Sequence, residues 1–325
     1  MNADFPLPPL WQGWVMDNLV ANIAHERIIE TLIDKGLSET AARREVALVA
    51  ASYARQLNAY VRMLRALRGL DDALPTATTL GSEDFWSNHW EANRPLLLKG
   101  YASDWPAMSR WSFEAWRTEQ AALPVRIEID RDPNRHWEGR QVDTTLGEFL
   151  SGIDTSPNAE PRNDIYCIAK SRNAARPAWQ ALYADLRPDP ALFDDSRQAG
   201  GTSLWIGPRG TLTPLHYDTT NIFFCQVVGR KQFELIAPHT TELWPRLEGF
   251  YVRGDLEGVA ASTPVLRATL EPGDVLFIPA GWFHRVTALD AAISYSLLNF
   301  RRPNGFDSFA LQRLAAPPRI HRAEF

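Results

Sequence analysis

The segment "TPLHYDTTNIFFCQVVGRKQFELIAP", residues 213–238, holds a histidine and an aspartate two residues apart, His216 and Asp218. Lys231 follows inside an otherwise apolar stretch. In a strand, residues i and i+2 point to the same face, so this spacing sets an imidazole beside a carboxylate. Those groups can bind one divalent metal from one wall, and a facial site needs a third ligand from elsewhere. His284 is the best candidate. It follows "EPGDVLFIPAGWF", a strand, a glycine turn and the start of a new strand. In a jelly roll such a position can lie opposite the HxD strand. Two histidines and one carboxylate with open positions form the ligand set of non-haem Fe(II) chemistry.

An HxD pair by itself also fits a structural or surface role. The remaining histidines fit a metal site poorly: His25 and His89 lie in helical stretches, His136 and His239 at a turn and a strand end, and His321 in the tail. Lys231 sharpens the reading. A lysine inside a barrel needs an anionic partner, because a buried unpaired ammonium is costly. A dicarboxylate beside the metal would supply one, and Thr213 could donate its hydroxyl to it. Arg230 points to the opposite face, so one of the two cations should face inward.

The elements that must position these groups are mostly strands. From Gly201 onward the pattern reads "TSLWIGP", "HYDTTNIFFCQVVG", "KQFELIAP", "VLRATL", "DVLFIPA", "FHRVTAL" and "AISYSLLNF", separated by Gly and Pro turns. Many short strands with such turns predict a sandwich or barrel. Between Ser82 and Ala169 helices alternate with strands: "SEDFWSNHWEANRP" as a short capped helix, "PLLLKGY" as a buried strand, and a helix capped by Ser112. "VRIEID" and "DIYCIA" read as strands, and Thr145 to Glu148 opens a capping-box helix. The N-terminal part is helical. Asp17 to Lys35 reads as one helix ended by Gly36, and Ser38 caps a second of about thirty residues. Its stripe, Val46, Val49, Tyr53, Leu57, Tyr60, Leu64 and Leu67, fits packing within the chain or a homodimer interface.

The chain has 325 residues, a net charge of -5 and 45% hydrophobic residues, enough for one large core and an appendage. The mild acidity argues against a nucleic-acid surface. Cys167 and Cys225 form no CxxC pair, so neither a disulfide scaffold nor a zinc ribbon is indicated, and a reducing cytoplasm is the expected compartment. The N-terminus has no signal-peptide pattern, and no apolar run approaches the ~20 residues of a membrane helix.

Several segments occur together in one order: "NRPLLLKGYASDWPAMSRWSFEAW", "TPLHYDTTNIFFCQVVGRKQFELIAP", "LEPGDVLFIPAGWFHRVTAL" and "AISYSLLNF". On these, the chain resembles the JmjC, or cupin-like, branch of the Fe(II)- and 2-oxoglutarate-dependent oxygenases. The resemblance covers about residues 78–302 and leans toward the protein hydroxylases that include the asparaginyl hydroxylase of the hypoxia-inducible factor. It implies a mainly β fold with helical additions, a double-stranded β-helix (jelly-roll) core. An N-terminal helical segment, 1–75, would precede it and a C-terminal extension, 303–325, would follow. It implies that His216, Asp218 and His284 hold Fe(II), and that Lys231 binds the distal carboxylate of 2-oxoglutarate with help from Thr213 and Tyr166. It places Asn299 near the cosubstrate. Trp205 and Phe224 would line the pocket or serve the core. One departure stands out: many relatives carry Asn six residues after the first metal histidine, where this chain has Ile222 with Asn221 one place earlier. A shift of one residue in a strand moves the side chain to the other face.

The implied reaction consumes O2 and 2-oxoglutarate, releases succinate and CO2, and hydroxylates a protein or peptide side chain, with a small molecule as the alternative substrate. Two rival classes remain open. A non-catalytic jelly-roll binding module would have no use for HxD, His284 and Lys231 together. A metal cupin working without 2-oxoglutarate would not need Lys231.

Overall fold

The apolar run Ile222–Val228 is a strand in which every residue but the last is buried, so both of its faces are covered. One face looks into a barrel and the other into a helical layer. The computed structural model describes residues 7–20, 23–51, 73–131, 139–240, 242–259 and 263–304. Eight of its strands form the core: β1 (Thr202–Gly207), β2 (Leu212–Tyr217), β3 (Ile222–Val228), β4 (Lys231–Ile236), β5 (Leu266–Leu270), β6 (Val275–Ile278), β7 (Phe283–Ala288) and β8 (Ala292–Leu297). They pair antiparallel in two sheets, ordered β6-β3-β8-β1 and β2-β7-β4-β5. The chain crosses between the sheets as a jelly roll does. Leu96–Leu98 extends the first sheet at β6, and a hairpin, Leu247–Glu248 with Tyr251–Val252, extends the second at β2.

Alternation along the strands sorts the core. Ile222, Phe224, Phe233, Leu235, Leu276 and Ile278 pack between the sheets. Phe223, Cys225 and Phe277 point the other way, into a layer with Phe85, Trp90, Trp111, Phe193 and Phe300. Phe85 and Trp90 both reach it because residues 85–90 form a π-helical turn, preceded by a short turn of α-helix at Ser82–Asp84. No side-chain cap is made there, in contrast to the capped helix expected from the sequence. Five-residue spacing puts both rings on one face, 6.2 Å apart. The caps at Ser112 and Thr145 form as read.

Three further differences from the sequence reading have plain causes. The stretch from His216 to Gly229 is two strands, because residues 218–221 turn the chain from one sheet to the other. Arg140–Thr145 is a strand with little apolar signal; its exposure alternates because one face is open. Where one helix is expected over Asp17–Lys35, the chain forms two, Pro9–Val20 and His25–Asp34, with Ala24 extended between them. Helix formers run through the break, but Ile23 turns in to pack with Trp14, Val15, Ile28 and Leu32.

The described residues fall into two compact units, 7–51 and 73–304. In the first, Val46 and Val49 are buried within the chain itself. The rest of the expected stripe, Tyr53 to Leu67, and the tail beyond residue 304 lie outside the described residues. Among the described residues no helix is long and apolar enough to cross a membrane.

Phe85 is fully buried among aromatic rings, whereas Phe250 is half exposed. Phe85→Ala is expected to destabilise the second unit by about 3–5 kcal/mol in urea unfolding. Phe250→Ala should change it by no more than ~0.5 kcal/mol. Equal effects of the two would contradict this assignment of the core.

Candidate active site

The second sheet sets the two histidines face to face. His216 on β2 and His284 on β7 are direct cross-strand partners, with ring centroids 4.1 Å apart. Opposed residues in an antiparallel pair share a face, so both imidazoles enter the barrel. Asp218 lies just beyond the end of β2. Its Oδ2 sits 3.4 Å from Nε2 of His284 and 3.8 Å from Nε2 of His216. One ligand atom from each of the three residues can be chosen so that all lie within 4.8 Å of one another.

Both rings are oriented from behind. His216 Nδ1 is 2.8 Å from the Pro214 carbonyl oxygen, and His284 Nδ1 is 3.0 Å from that of Trp282. A carbonyl oxygen only accepts, so each Nδ1 carries the proton and each Nε2 presents a lone pair toward Asp218. Burial, reinforced by the neighbouring His284, pulls the His216 pKa down to about 4. It is therefore neutral near pH 7, the form that ligates metal. Donor types, tautomers and spacing all fit a divalent metal held by two histidines and one carboxylate.

Thr213 reaches the same chamber although it lies three residues before His216. On β7 the corresponding step is two, since Val286 pairs with Thr213 and His284 with His216. The extra residue on β2 is a bulge at Pro214–Leu215, and a strand tolerates proline at such a position.

Lys231, at the start of β4, is 1% exposed. Its Nζ is 3.2 Å from Tyr166 Oη, and the rings of Phe224, Tyr166 and Trp205 stand within 5.3–6.0 Å of it. Thr213 also hydrogen-bonds Tyr166. Tyr166 can lie this close because β1 ends in a glycine: a Cβ on Gly207 would fall 2.8 Å from the tyrosine ring. Burial drives the Lys231 pKa down to about 7. Arg230 points outward to Asp290, 2.8 Å away. The ammonium, the phenol and the Thr213 hydroxyl thus meet at one end of an apolar chamber with the histidines and Asp218 at the other. Trp205, Ile222, Phe224, Phe233 and Ile278 wall it, around ≈ 340 Å³ of empty space.

A second, wider chamber of ≈ 760 Å³ shares His216, Asp218, Thr213, Trp205, Ile222 and Ser296 with the first and opens outward past Arg131, Lys170, Thr220 and Tyr251. None of those four is singled out by spacing in the sequence. Glu128, fully buried, pairs with Arg131 at 3.2 Å and with Lys170. Tyr251 comes from the added hairpin and stacks on the His216 ring, centroids 5.3 Å apart. Ser296 accepts the Trp205 indole N–H at 2.8 Å.

Asn299 requires a correction. It lines neither chamber. β8 ends at Leu297, and beyond it the Asn299 amide turns away to donate to Tyr183 Oη at 3.0 Å and the Asp194 carbonyl at 3.1 Å. Ile222 does line the chamber, and Asn221 faces the other way, as a one-residue shift requires.

A family model described as "Cupin-like domain" matches residues 82–254 and 255–304. Jumonji C domain-containing protein 5 of Drosophila melanogaster is 28% identical over 240 residues, 69% of this chain and 59% of that protein. Lysine-specific demethylase 8 of Xenopus tropicalis is 26% identical over 240 residues, 70% of this chain and 52% of that protein. This chain therefore spans between half and three-fifths of the length of these relatives. Among solved structures, YcfD, a ribosomal oxygenase from Escherichia coli in complex with cobalt and 2-oxoglutarate, aligns with a TM-score of 0.41 and 22% identity. That alignment covers 76% of this chain and 63% of YcfD.

The buried ammonium predicts a stability trade. Free lysine titrates near ~10.4, so the folded state with its value about 7 disfavours the charge. The penalty is complete below pH 7 and fades as pH rises toward the ordinary lysine range. Lys231→Met should therefore raise the thermal midpoint, most at pH 6 and least near pH 10. A midpoint lowered at pH 6 would contradict the assignment.

Proposed function

Because the chain belongs to the cupin-like domain family, we propose that it is an Fe(II)- and 2-oxoglutarate-dependent oxygenase that hydroxylates a protein or peptide side chain. One observation carries the reading: a His-Asp-His group whose Nδ1 atoms are held by backbone carbonyls stands at one end of an apolar chamber whose other end is a buried lysine. A metal cupin without the dicarboxylate would leave Lys231 buried with no anion to meet.

In this reading His216, Asp218 and His284 hold the metal. Lys231, Tyr166 and Thr213 hold the distal carboxylate of 2-oxoglutarate. Bound together, metal and cosubstrate would supply oxidative chemistry at a C–H bond with O2, giving succinate and CO2 as coproducts. The protein's own work is orientation and exclusion of water. The carbonyls of Pro214 and Trp282 keep each ring in its metal-binding tautomer. Phe224, Ile222 and Trp205 keep the chamber apolar, which strengthens the attraction between ammonium and carboxylate. The wider chamber would admit the primary substrate. The demethylase name of one relative and the open mouth favour a polypeptide over a free metabolite.

Purified protein supplied with Fe(II), ascorbate, O2 and 2-oxoglutarate should release succinate, and cell-extract protein should stimulate that release. Asp218→Ala and His216→Ala should reduce it to background; full activity in either would sink the ligand assignment. Lys231→Ala should weaken 2-oxoglutarate binding, read by calorimetry with Mn(II), far more than Mn(II) binding itself.

The pH dependence follows from Lys231. The charged form binds the dicarboxylate, and its proton is lost above a pKa of about 7 in the free protein. Affinity for 2-oxoglutarate should therefore fall as pH rises past 7, approaching about tenfold per pH unit. Constant affinity from pH 6.5 to 9 would remove Lys231 from the binding step.

A further inference from the structure

The ladder between β2 and β7 explains how His216 meets His284, but not how Asp218 meets either. The last cross-strand pair is Tyr217 with Phe283, and Asp218 lies beyond it. Two turns must therefore be locked together: residues 218–221, which carry Asp218, and residues 279–282, which lead into His284.

Three asparagines outside the chambers connect them. Asn221 Oδ1 accepts the Ala280 amide at 2.9 Å. Asn93 takes the other side of the same residue, its Nδ2 donating to the Ala280 carbonyl at 3.0 Å. Its own carbonyl and its Oδ1 both accept the Trp282 indole N–H, at 3.0 and 2.9 Å. Trp282 is the residue whose carbonyl orients His284. Asn304 grips the first turn from behind: its Oδ1 accepts from the Asn221 amide and its Nδ2 donates to the Asn221 and Leu298 carbonyls, at 2.8–3.0 Å. One direct bond, Gly281 amide to Asp218 carbonyl at 2.9 Å, joins the turns next to the carboxylate. Asn93 also has a left-handed backbone, φ +50°, which asparagine adopts more readily than most residues.

We propose that Asn93, Asn221 and Asn304 are positioning residues for the metal centre, a clamp that sets Asp218 against His284. Side chains with four hydrogen-bonding sites suit this task, since one amide can take a donor from one turn and give to the other. The clamp rests on the metal reading above and assigns it residues that touch neither metal nor cosubstrate. Groups of this kind cost about 10–100-fold in metal affinity when removed.

The test is Mn(II) affinity by calorimetry, with the visible spectrum of the Co(II)-loaded protein as a second readout. Asn93→Gly keeps the left-handed backbone and deletes the side chain. Asn221→Ala deletes the opposite grip. Trp282→Phe keeps the ring and removes the indole donor. Asn173→Ala serves as control: Asn173 is as buried as Asn221 and pairs with Arg126 N and O at 2.8 and 2.7 Å, but lines neither chamber. The expected result is at least tenfold weaker Mn(II) binding and altered Co(II) bands in Asn93→Gly and Asn221→Ala. A smaller change of the same sign is expected in Trp282→Phe, and affinity within twofold of the parent in Asn173→Ala. Parent-like affinity in both asparagine variants would overturn the clamp, as would an equal loss in the control. A parent that binds neither Mn(II) nor Co(II) would overturn the metal reading itself, and the clamp with it.

Discussion

The pairing of β2 with β7 is the interaction on which the site depends. Its register sets His216 opposite His284, and the bulge at Pro214–Leu215 brings Thr213 onto the same face. Without that extra residue Thr213 and His216, three apart, would point to opposite faces. One irregular ladder thus delivers two imidazoles and one hydroxyl to a single chamber. The neighbouring pairing of β7 with β4 puts Lys231 across from Ala288, on the same face as His284 four residues away. The dimension of the site is a strand spacing, set by backbone geometry more than by side-chain choice.

The interior works against stability on purpose. A lysine with one hydrogen-bond partner among the described residues, surrounded by rings, raises the free energy of the folded protein. An apolar residue there would suit the fold better. The surrounding structure carries the strain: β3 and β6 bury apolar residues on both faces, and the Phe85–Trp90–Phe300 layer covers them. Stability is generated in the first sheet and spent in the second. An anion bound beside it would offset the cost of burying the ammonium, which is the role proposed for the cosubstrate carboxylate.

Rigidity is distributed in the same way. Backbone carbonyls orient the histidines, while the Asp218 carboxylate sits in a turn that no ladder reaches. Side-chain amides from three separate segments take over where the sheet ends.

Much of this was legible in the sequence, for physical reasons that can be named. The two-residue period of a strand makes His216 and Asp218 neighbours. A lysine in an apolar strand is too costly to be accidental, and glycine and proline turns mark the strand ends. The resemblance to the cupin-like family added Tyr166 and Asn299 to what the residues alone could offer. Other features were settled only by tertiary contacts. Asn299 follows the end of β8, and whether a residue past a strand end turns inward depends on what it meets; Tyr183 and Asp194 draw it outward. Arg131, Lys170 and Tyr251 reach the mouth from a separate sheet, a short helical turn and an added hairpin, so no local spacing announces them. The break before His25 and the π turn at Phe85 likewise come from burying Ile23 and Trp90, against local propensity. The sequence by itself determined the strands, the inward-facing donors and the chemistry those donors can do, because side-chain period and the cost of burial are local. Only the tertiary structure decided which distant side chains share a chamber, because register, bulges and turn-to-turn bonds are set between segments far apart in the chain.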